Sequence, residues 1–287
     1  MQEISANIYI ETGYPGVTLG AISLEHGLIM IDAPFRQDDI RAWKASILNL
    51  CGGVERLLIN LDGNFDRTIG ARAMDCTIVG HERMAADFRT RPISIKSQSG
   101  ETGAGWESSN GVGNIRWAPP EITFSQNLTI YWDKDPLKIE FHPGPANGAC
   151  WVSLPERQVV FVGDAVVPDQ PPFFATADLP LWIEALSLLF TPEYRNFLVV
   201  SGRGDLVTEE QIKNQAEFIK NVHQLLEELA ADKAEPEKTE ILIPDLVRHF
   251  STPTGQDAQF LQRLKWGLYH YYDHHYKAVL SDKERMS

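Results

Sequence analysis

At 287 residues, 43% hydrophobic and 23% charged, the chain has the composition of a globular protein able to bury a large core. A net charge of −13 with no Lys/Arg cluster against it repels phosphate backbones and argues against nucleic acid as a partner. No apolar run is long enough to span a bilayer, the opening Met1-Gln2-Glu3-Ile4-Ser5 lacks a basic, apolar-cored leader, and Cys51, Cys76 and Cys150 are too widely spaced for a disulfide framework or a Cys-x-x-Cys zinc site. A soluble, cytoplasmic protein that does not enter membranes is expected.

Residues 7–11, 17–25 and 28–32 run apolar or alternate, with β-branched side chains and tight turns between them, which predicts three antiparallel strands. Ile40, Trp43, Ile47 and Leu48 have helical spacing and predict a helix over 37–50. A buried strand at 56–60 leads into the turn Leu61-Asp62-Gly63-Asn64-Phe65-Asp66-Arg67. Ile69, Ala71 and Ala73 then suit a helix packed closely on a sheet, and 76–80 reads as another buried strand. Residues 89–120, rich in Gly and Ser, predict a long structureless loop, either a lid or a disordered segment, with Trp106 and Trp117 as its ligand- or partner-touching residues.

Hairpins are predicted at 128–132 with 137–141 and at 150–154 with 158–162, then a helix at 181–190 and a buried strand at 197–200. Thr208 with Gln211 fits a capping box, opening a helix whose apolar face carries Ile212, Ile219, Val222, Leu226 and Leu229. A charged linker at 231–238 precedes two helices at 240–250 and 256–280, the second carrying Trp266, Tyr269, Tyr271, Tyr272 and Tyr276. This order predicts an α/β sandwich of two sheets covered outside by helices.

Four short stretches, each closing a predicted strand or following one, resemble motifs of the metallo-β-lactamase superfamily. The family's Thr-His-x-His-x-Asp-His turn has Asp62 and Asn64 at its first two histidines, keeps Asp66, and has Arg67 at the third. His142-Pro143-Gly144-Pro145-Ala146-Asn147-Gly148 resembles Gly-Pro-Ala-His-Thr with Asn147 for the histidine. Phe161-Val162-Gly163-Asp164-Ala165 is similar to the strand-Gly-Asp motif whose carboxylate bridges two metals, and Ser201-Gly202-Arg203-Gly204 resembles Gly-His-Gly with Arg203 for the histidine. The resemblance implies a four-layer αββα sandwich over residues 1–206, with a C-terminal helical extension over 207–287 packed on the same domain, and relatives that are metal-dependent hydrolases.

The chemistry departs from that implication. Zinc sites take neutral imidazole, thiolate and carboxylate, whereas a guanidinium keeps its proton and has no lone pair to donate. Zinc-dependent hydrolysis of β-lactams, thioesters or lactones is not expected, nor is any cofactor. Arg67 and Arg203 are expected to replace the metals electrostatically, pairing with Asp66 and Asp164 through forked hydrogen bonds. Three carboxylates against two guanidiniums leave Asp62 solvated, protonated or paired elsewhere.

Two further readings stay open. The oxygen donors Asp62, Asp66 and Asp164, with Asn64 and Asn147, suit Mg²⁺, Mn²⁺ or Ca²⁺ and a metal-bound water. A metal-free pocket walled by Phe173, Phe174 and Trp106 instead suits a sensor or scaffold that binds a small anionic ligand. His26 reads as solvated, His81 and His142 as hydrogen-bonded, His270 and His274 as one packing face of a helix, and Cys150 as a buried thiol. The C-terminal helices either cover an edge of the sandwich or present Trp266 and the tyrosines to a second copy in a homodimer.

Overall fold

The structure, a computed structural model, describes residues 1–50, 54–91, 94–95, 101–109, 115–116, 118–251 and 255–277. In the first half run β1 (Gln2–Ser5), β2 (Ile8–Glu11), β3 (Leu19–Ser23), β4 (Gly27–Ile31), α1 (Gln37–Ile47), β5 (Glu55–Ile59), α2 (Phe65–Thr68), β6 (Thr77–His81), α3 (Glu82–Thr90), the short pair β7 (Ser94–Ile95) and β8 (Ile115–Arg116), and β9 (Ile122–Phe124). The second half follows with β10 (Asn127–Ile130), β11 (Leu137–Phe141), β12 (Cys150–Leu154), β13 (Val159–Gly163), α4 (Leu179–Leu188), β14 (Leu198–Ser201), β15 (Leu206–Val207), α5 (Glu209–Ala231), α6 (Ile243–Val247) and α7 (Asp257–Tyr272).

Two sheets form, in the orders β1-β2-β3-β4-β5-β6-β9 and β10-β11-β12-β13-β14-β15. Antiparallel pairs build the β1–β4 half of the first sheet and all of the second but β13–β14, while β4-β5-β6-β9 run parallel. The chain switches to parallel pairing where a helix supplies the crossover that parallel neighbours need, α1 between β4 and β5 and α4 between β13 and β14. β4 is buried along its whole length because both of its faces are covered. Ile29 and Ile31 join the apolar layer between the sheets with Ile139, Val152 and Phe161. Leu28 and Met30 pack outward with Ile40, Trp43 and Ile47 of α1. On the far side Trp151, Val160 and Val162 lie under Trp182 of α4, Val222 of α5, and Leu264 and Leu268 of α7. Helix, sheet, sheet and helix are thus four layers, and the C-terminal helices complete the outer one. No helix among the described residues is long and apolar enough to cross a membrane.

Several local expectations are corrected. Residues 2–5 form an edge strand, and α3 was not read from the sequence because its nine residues carry only Met84, Ala85 and Phe88 as a buried stripe. The close-packed helix expected around Ile69 is a four-residue helix followed by a 3₁₀ turn at Ala71–Met74. The expected loop at 89–120 contains the end of α3, the β7–β8 pair and a 3₁₀ turn at Gly105–Ser108. Trp117 and Cys51 lie outside the described residues. The helix expected at 240–250 is a 3₁₀ run at Pro236–Leu242 continued by α6, and the last helix changes to a π turn at Asp273–Lys277. Of its aromatic run Tyr271 and Tyr272 are buried within the chain, while Trp266, Tyr269 and Tyr276 are half-buried.

Candidate functional site

The parallel strands β4, β5, β13 and β14 end at one rim of the sandwich, the end of an α/β sheet where loops can converge on a ligand. Each is followed by polar residues that are buried: Asp32 after β4, Asn60 and Asp62 after β5, Asp164 after β13, and Ser201 and Arg203 at the end of β14. The turn after β5 is shaped by its own side chains. Asp62 Oδ1 accepts from Asn64 N at 2.7 Å, and Asn64 caps α2 by accepting from Asp66 N at 3.1 Å. That cap turns Asp66 and Arg67 into the interior. Gly202 brings the other rim close: its N–H donates to Gly163 O at 2.7 Å, and a Cβ there would stand 2.4 Å from the Gly163 carbonyl carbon.

What converges is a network of carboxylates and guanidiniums. Arg67, with no exposed surface, donates from Nη1 to Asp32 Oδ2 at 2.6 Å and from Nη2 to Asp164 Oδ1. Its Nε lies 3.0 Å from Asp62 Oδ1, an ion pair without hydrogen-bond alignment, so that N–H has no hydrogen-bond partner among the described residues. Arg203 donates from Nη1 to Asp66 Oδ2 at 2.6 Å and grips Asp164 from Nε at 3.0 Å and Nη2 at 3.0 Å. Asp164 therefore joins both arginines, and Asn64 Nδ2 adds a donor to it at 3.3 Å.

Asp32 is the carboxylate that the sequence reading missed. Its Oδ1 accepts from Leu61 N at 3.1 Å and from Asn60 Nδ2 at 3.3 Å. The signal was available: an Asp directly after a buried strand, beside the parallel strand that leads to Asp62.

Four carboxylates face two guanidiniums, and the protonation equilibria record the imbalance. Burial works against the charge of Asp164, yet Arg203 and Arg67 hold it below the usual carboxylate range. Burial drives Asp62 up to about 6 despite Arg67, with Asp164 and Asp32 adding to the rise. Asp32 is also raised by burial. Arg67, although buried, is held above its ordinary value by Asp164, Asp62 and Asp32.

A third buried arginine, Arg263 of α7, braces the segment over the network. Its Nε and Nη2 donate to Gly103 O at 3.1 and 3.0 Å, and its Nη1 donates to Gln170 Oε1 at 2.8 Å and Pro171 O at 2.9 Å. The segment so held returns two backbone donors to the site: Gly105 N and Trp106 N reach the Asp66 carboxylate at 3.2 and 2.8 Å. Glu107 closes the turn by accepting from Thr102 and Gly103. Burial, followed by repulsion from Arg203, lowers the Arg263 pKa to about 9. The Phe173 ring lies against both guanidiniums, 4.6 Å from Arg203 and 4.2 Å from Arg263. An arginine inside an otherwise apolar helical stripe, between Phe260 and Leu264, was the sequence signal for this contact.

The model of the metallo-beta-lactamase superfamily matches residues 78–200. Solved structures agree over more of the chain. A metallo-beta-lactamase from Pontibacter korlensis is 18% identical with a TM-score of 0.58, covering 77% of this chain and 98% of that one. A metallo-beta-lactamase family protein from Thermus thermophilus is 16% identical with a TM-score of 0.62, covering 96% and 95%. Residues 78–200 thus match the superfamily's model, and the chain as a whole has the metallo-beta-lactamase fold. The stereoselective inverting sec-alkylsulfatase Pisa1 from Pseudomonas sp. is 13% identical with a TM-score of 0.68, covering 95% of this chain but 49% of that one, so this chain spans about half its length. None of the curated proteins compared with the chain matches it in sequence.

The metals of the superfamily do not fit these residues. Arg67 and Arg203 sit between the carboxylates, with Nη1 of each within 2.6 Å of an oxygen that a cation would need. Neither has a lone pair to offer. Among the described residues no group of three or more His, Cys, Asp and Glu side chains is arranged to hold a metal ion. A hard cation meets the same obstacle as zinc, because two fixed positive charges already occupy the acidic pocket.

Beside the network opens a cleft of about 210 Å³, with Asp62, Asn64 and Asp164 on its surface, together with Arg91, Trp106, Asn147, Phe173 and Trp266. Asn147 is exposed on this wall and stands apart from the network's hydrogen bonds. Phe174 is corrected: it is fully buried in the outer core, 6.2 Å from Trp182 by ring centroids, and does not line the cleft. Trp106 does line it, but as a buried residue packed edge-on against Phe65 at 5.4 Å. Asp62 is buried and ion-paired to Arg67, not solvated.

The other sequence candidates resolve simply. His26 is exposed. His81 contacts Ser125 O at 2.9 Å through Nε2 and caps α3 through Nδ1. His142 differs from expectation: its buried Nε2 has no partner among the described residues, its ring packs on Trp151 at 4.1 Å, and burial lowers its pKa to about 4. His270 packs on Trp266 at 3.9 Å. Burial holds the Cys150 thiol well above its ordinary pKa.

Proposed function

We propose that this protein is a metal-free ligand-binding member of its superfamily, in which an arginine–aspartate network takes over the structural work of the metal pair and the adjoining cleft holds a small polar ligand. The reading is supported above all by Arg67, which sits among Asp32, Asp62 and Asp164 with all three nitrogens turned to carboxylates. Such a group gives a hydrolase neither a Lewis acid nor a metal-activated water.

The same observation redirects the expected anion site. Arg67 and Arg203 are buried and bonded to aspartates, so a ligand's acidic group meets Arg91 on the cleft wall, with the Asn147 amide beside it. Hydrogen-bond donors on the ligand meet the exposed side-chain oxygen of Asn147. A ligand with both features suits the cleft, and a sensor or scaffold role follows from binding without turnover. The division into a domain over 1–206 and an appended 207–287 is part of the same proposal, supported by the way α5 and α7 share one apolar cluster with β12, β13 and α4.

Elemental analysis of purified protein, followed by calorimetry with small carboxylic and amino acids, tests the reading. The expected result is no stoichiometric Zn, Mg, Mn or Ca, and saturable binding that weakens in Arg91→Met and Asn147→Ala. Stoichiometric metal, or ester hydrolysis abolished by a chelator, overturns it.

A further inference from the structure

A second cavity, of about 410 Å³, opens along α5 and shares no lining residue with the cleft. One wall is the α5 face that presents Asn214, Gln215, Phe218 and Asn221, at helical spacing. Opposite stand Val167, Pro168 and Asp169 of the loop beyond Asp164, and His249 and Phe250 after α6. Phe218 is the centre of an aromatic floor, with Phe250 at 4.9 Å and His249 at 5.3 Å between ring centroids.

The polar groups of this wall are unspent. Gln215 is 8% exposed. Its Oε1 accepts from Val167 N at 3.2 Å, which fixes the orientation of the amide and leaves Nε2 as a buried donor with no partner among the described residues. Native structures leave few such groups without a partner. Asn214 and Asn221 are exposed, and their side chains make no hydrogen bond with the described residues.

The lining selects a chemistry. It holds the carboxylates of Asp169 and Glu217, both exposed at the mouth, and among the described residues no Lys or Arg, so phosphates and carboxylates are disfavoured. A wholly apolar ligand would strip water from amides without replacing their hydrogen bonds. Amides donate and accept at once, as hydroxyls do, and aromatic ring surfaces take up C–H faces. We propose that this groove is a binding site for a neutral, hydroxyl-rich ligand, a sugar or polyol, held by Asn214, Gln215 and Asn221 over the Phe218–Phe250 floor.

Calorimetry and saturation-transfer NMR on the full chain, with glucose, maltose and myo-inositol as probes, test it. At least one probe should bind saturably, and Asn214→Ala and Asn221→Ala should each weaken that binding about tenfold, a change of roughly 1.4 kcal/mol, at an unchanged melting temperature. Gln215→Glu keeps the oxygen that accepts from Val167 N and removes the N–H donor, and should weaken the same binding. The proposal is overturned by no saturable binding of any probe, by binding that survives all three substitutions, or by binding of ethylammonium in place of the sugars. None of these outcomes bears on metal content, so this site and the metal-free reading of the cleft stand or fall separately.

Discussion

Arg67 and Asp164, 97 residues apart in the chain, join the rims of the two sheets through one buried ion pair. Arg67 comes from the helix after β5 of the first sheet, and Asp164 follows β13 of the second. Arg203 closes the same junction from β14 by gripping Asp164 and Asp66 together. Under the proposed function, these side chains hold the rim in place of metal ions.

Removing either guanidinium strands buried carboxylates. Arg67→Ala and Arg203→Ala should each lower the free energy of unfolding by about 3–5 kcal/mol, the cost of breaking a buried pair from one side. Urea titrations at pH 7 measure this. The deficit should shrink as pH falls, because the stranded aspartates of the variants take up protons and lose their buried charge. Loss below about 1 kcal/mol, the range of exposed pairs, would show that the network does not carry the junction.

Two buried groups should oppose each other in acid. His142 titrates near 6.5 when unfolded and about 4 when folded, so the stability it contributes is present above 6.5 and lost as pH falls toward 4. Asp62 titrates near 3.8 unfolded and about 6 folded, so its contribution is present below 3.8 and lost as pH rises through 6. Within the shared window each changes stability by up to about 1.4 kcal/mol per pH unit, with opposite sign. Asp62→Asn should therefore make the acid loss steeper than in the parent protein, and His142→Phe should make it shallower, in urea midpoints between pH 4 and 7.

Arg263 ties α7 to the carbonyl of Gly103 through two donors. Arg263→Leu removes them and loosens the segment that supplies Gly105 N and Trp106 N to Asp66. Limited proteolysis should then nick residues 101–109 faster, while the far-ultraviolet circular dichroism stays that of the parent. Unchanged nicking would mean that Glu107 and the Trp106 packing hold the segment without the arginine.

Gly202 is needed for close approach, not for an unusual dihedral. Its absent Cβ would fall 2.4 Å from a backbone carbon and 2.7 Å from Asp164 N, neither of which can move aside cheaply. Gly202→Ala should cost about 1–3 kcal/mol, as overpacking typically does, and should displace Arg203 from Asp164. A crystal structure or urea titration of the variant checks both.

The sequence by itself determined the architecture and most of the charged residues at the rim, Asp32 being the exception. Alternating and continuous apolar runs gave most of the longer strands, helical stripes gave α1 and α5, and the resemblance of four strand-end stretches to the superfamily's motifs named Asp62, Asp66, Arg67, Asp164 and Arg203, each of them a local feature of the chain. Partnership is not local. Only the tertiary structure decided that Arg67 faces Asp32, Asp62 and Asp164 while Arg203 takes Asp66, that Arg263 reaches in from α7, and that Asn147 stays on the cleft wall. Those choices depend on the distance between two sheet edges and on how close Gly202 lets them come, and a one-dimensional pattern carries no such distance.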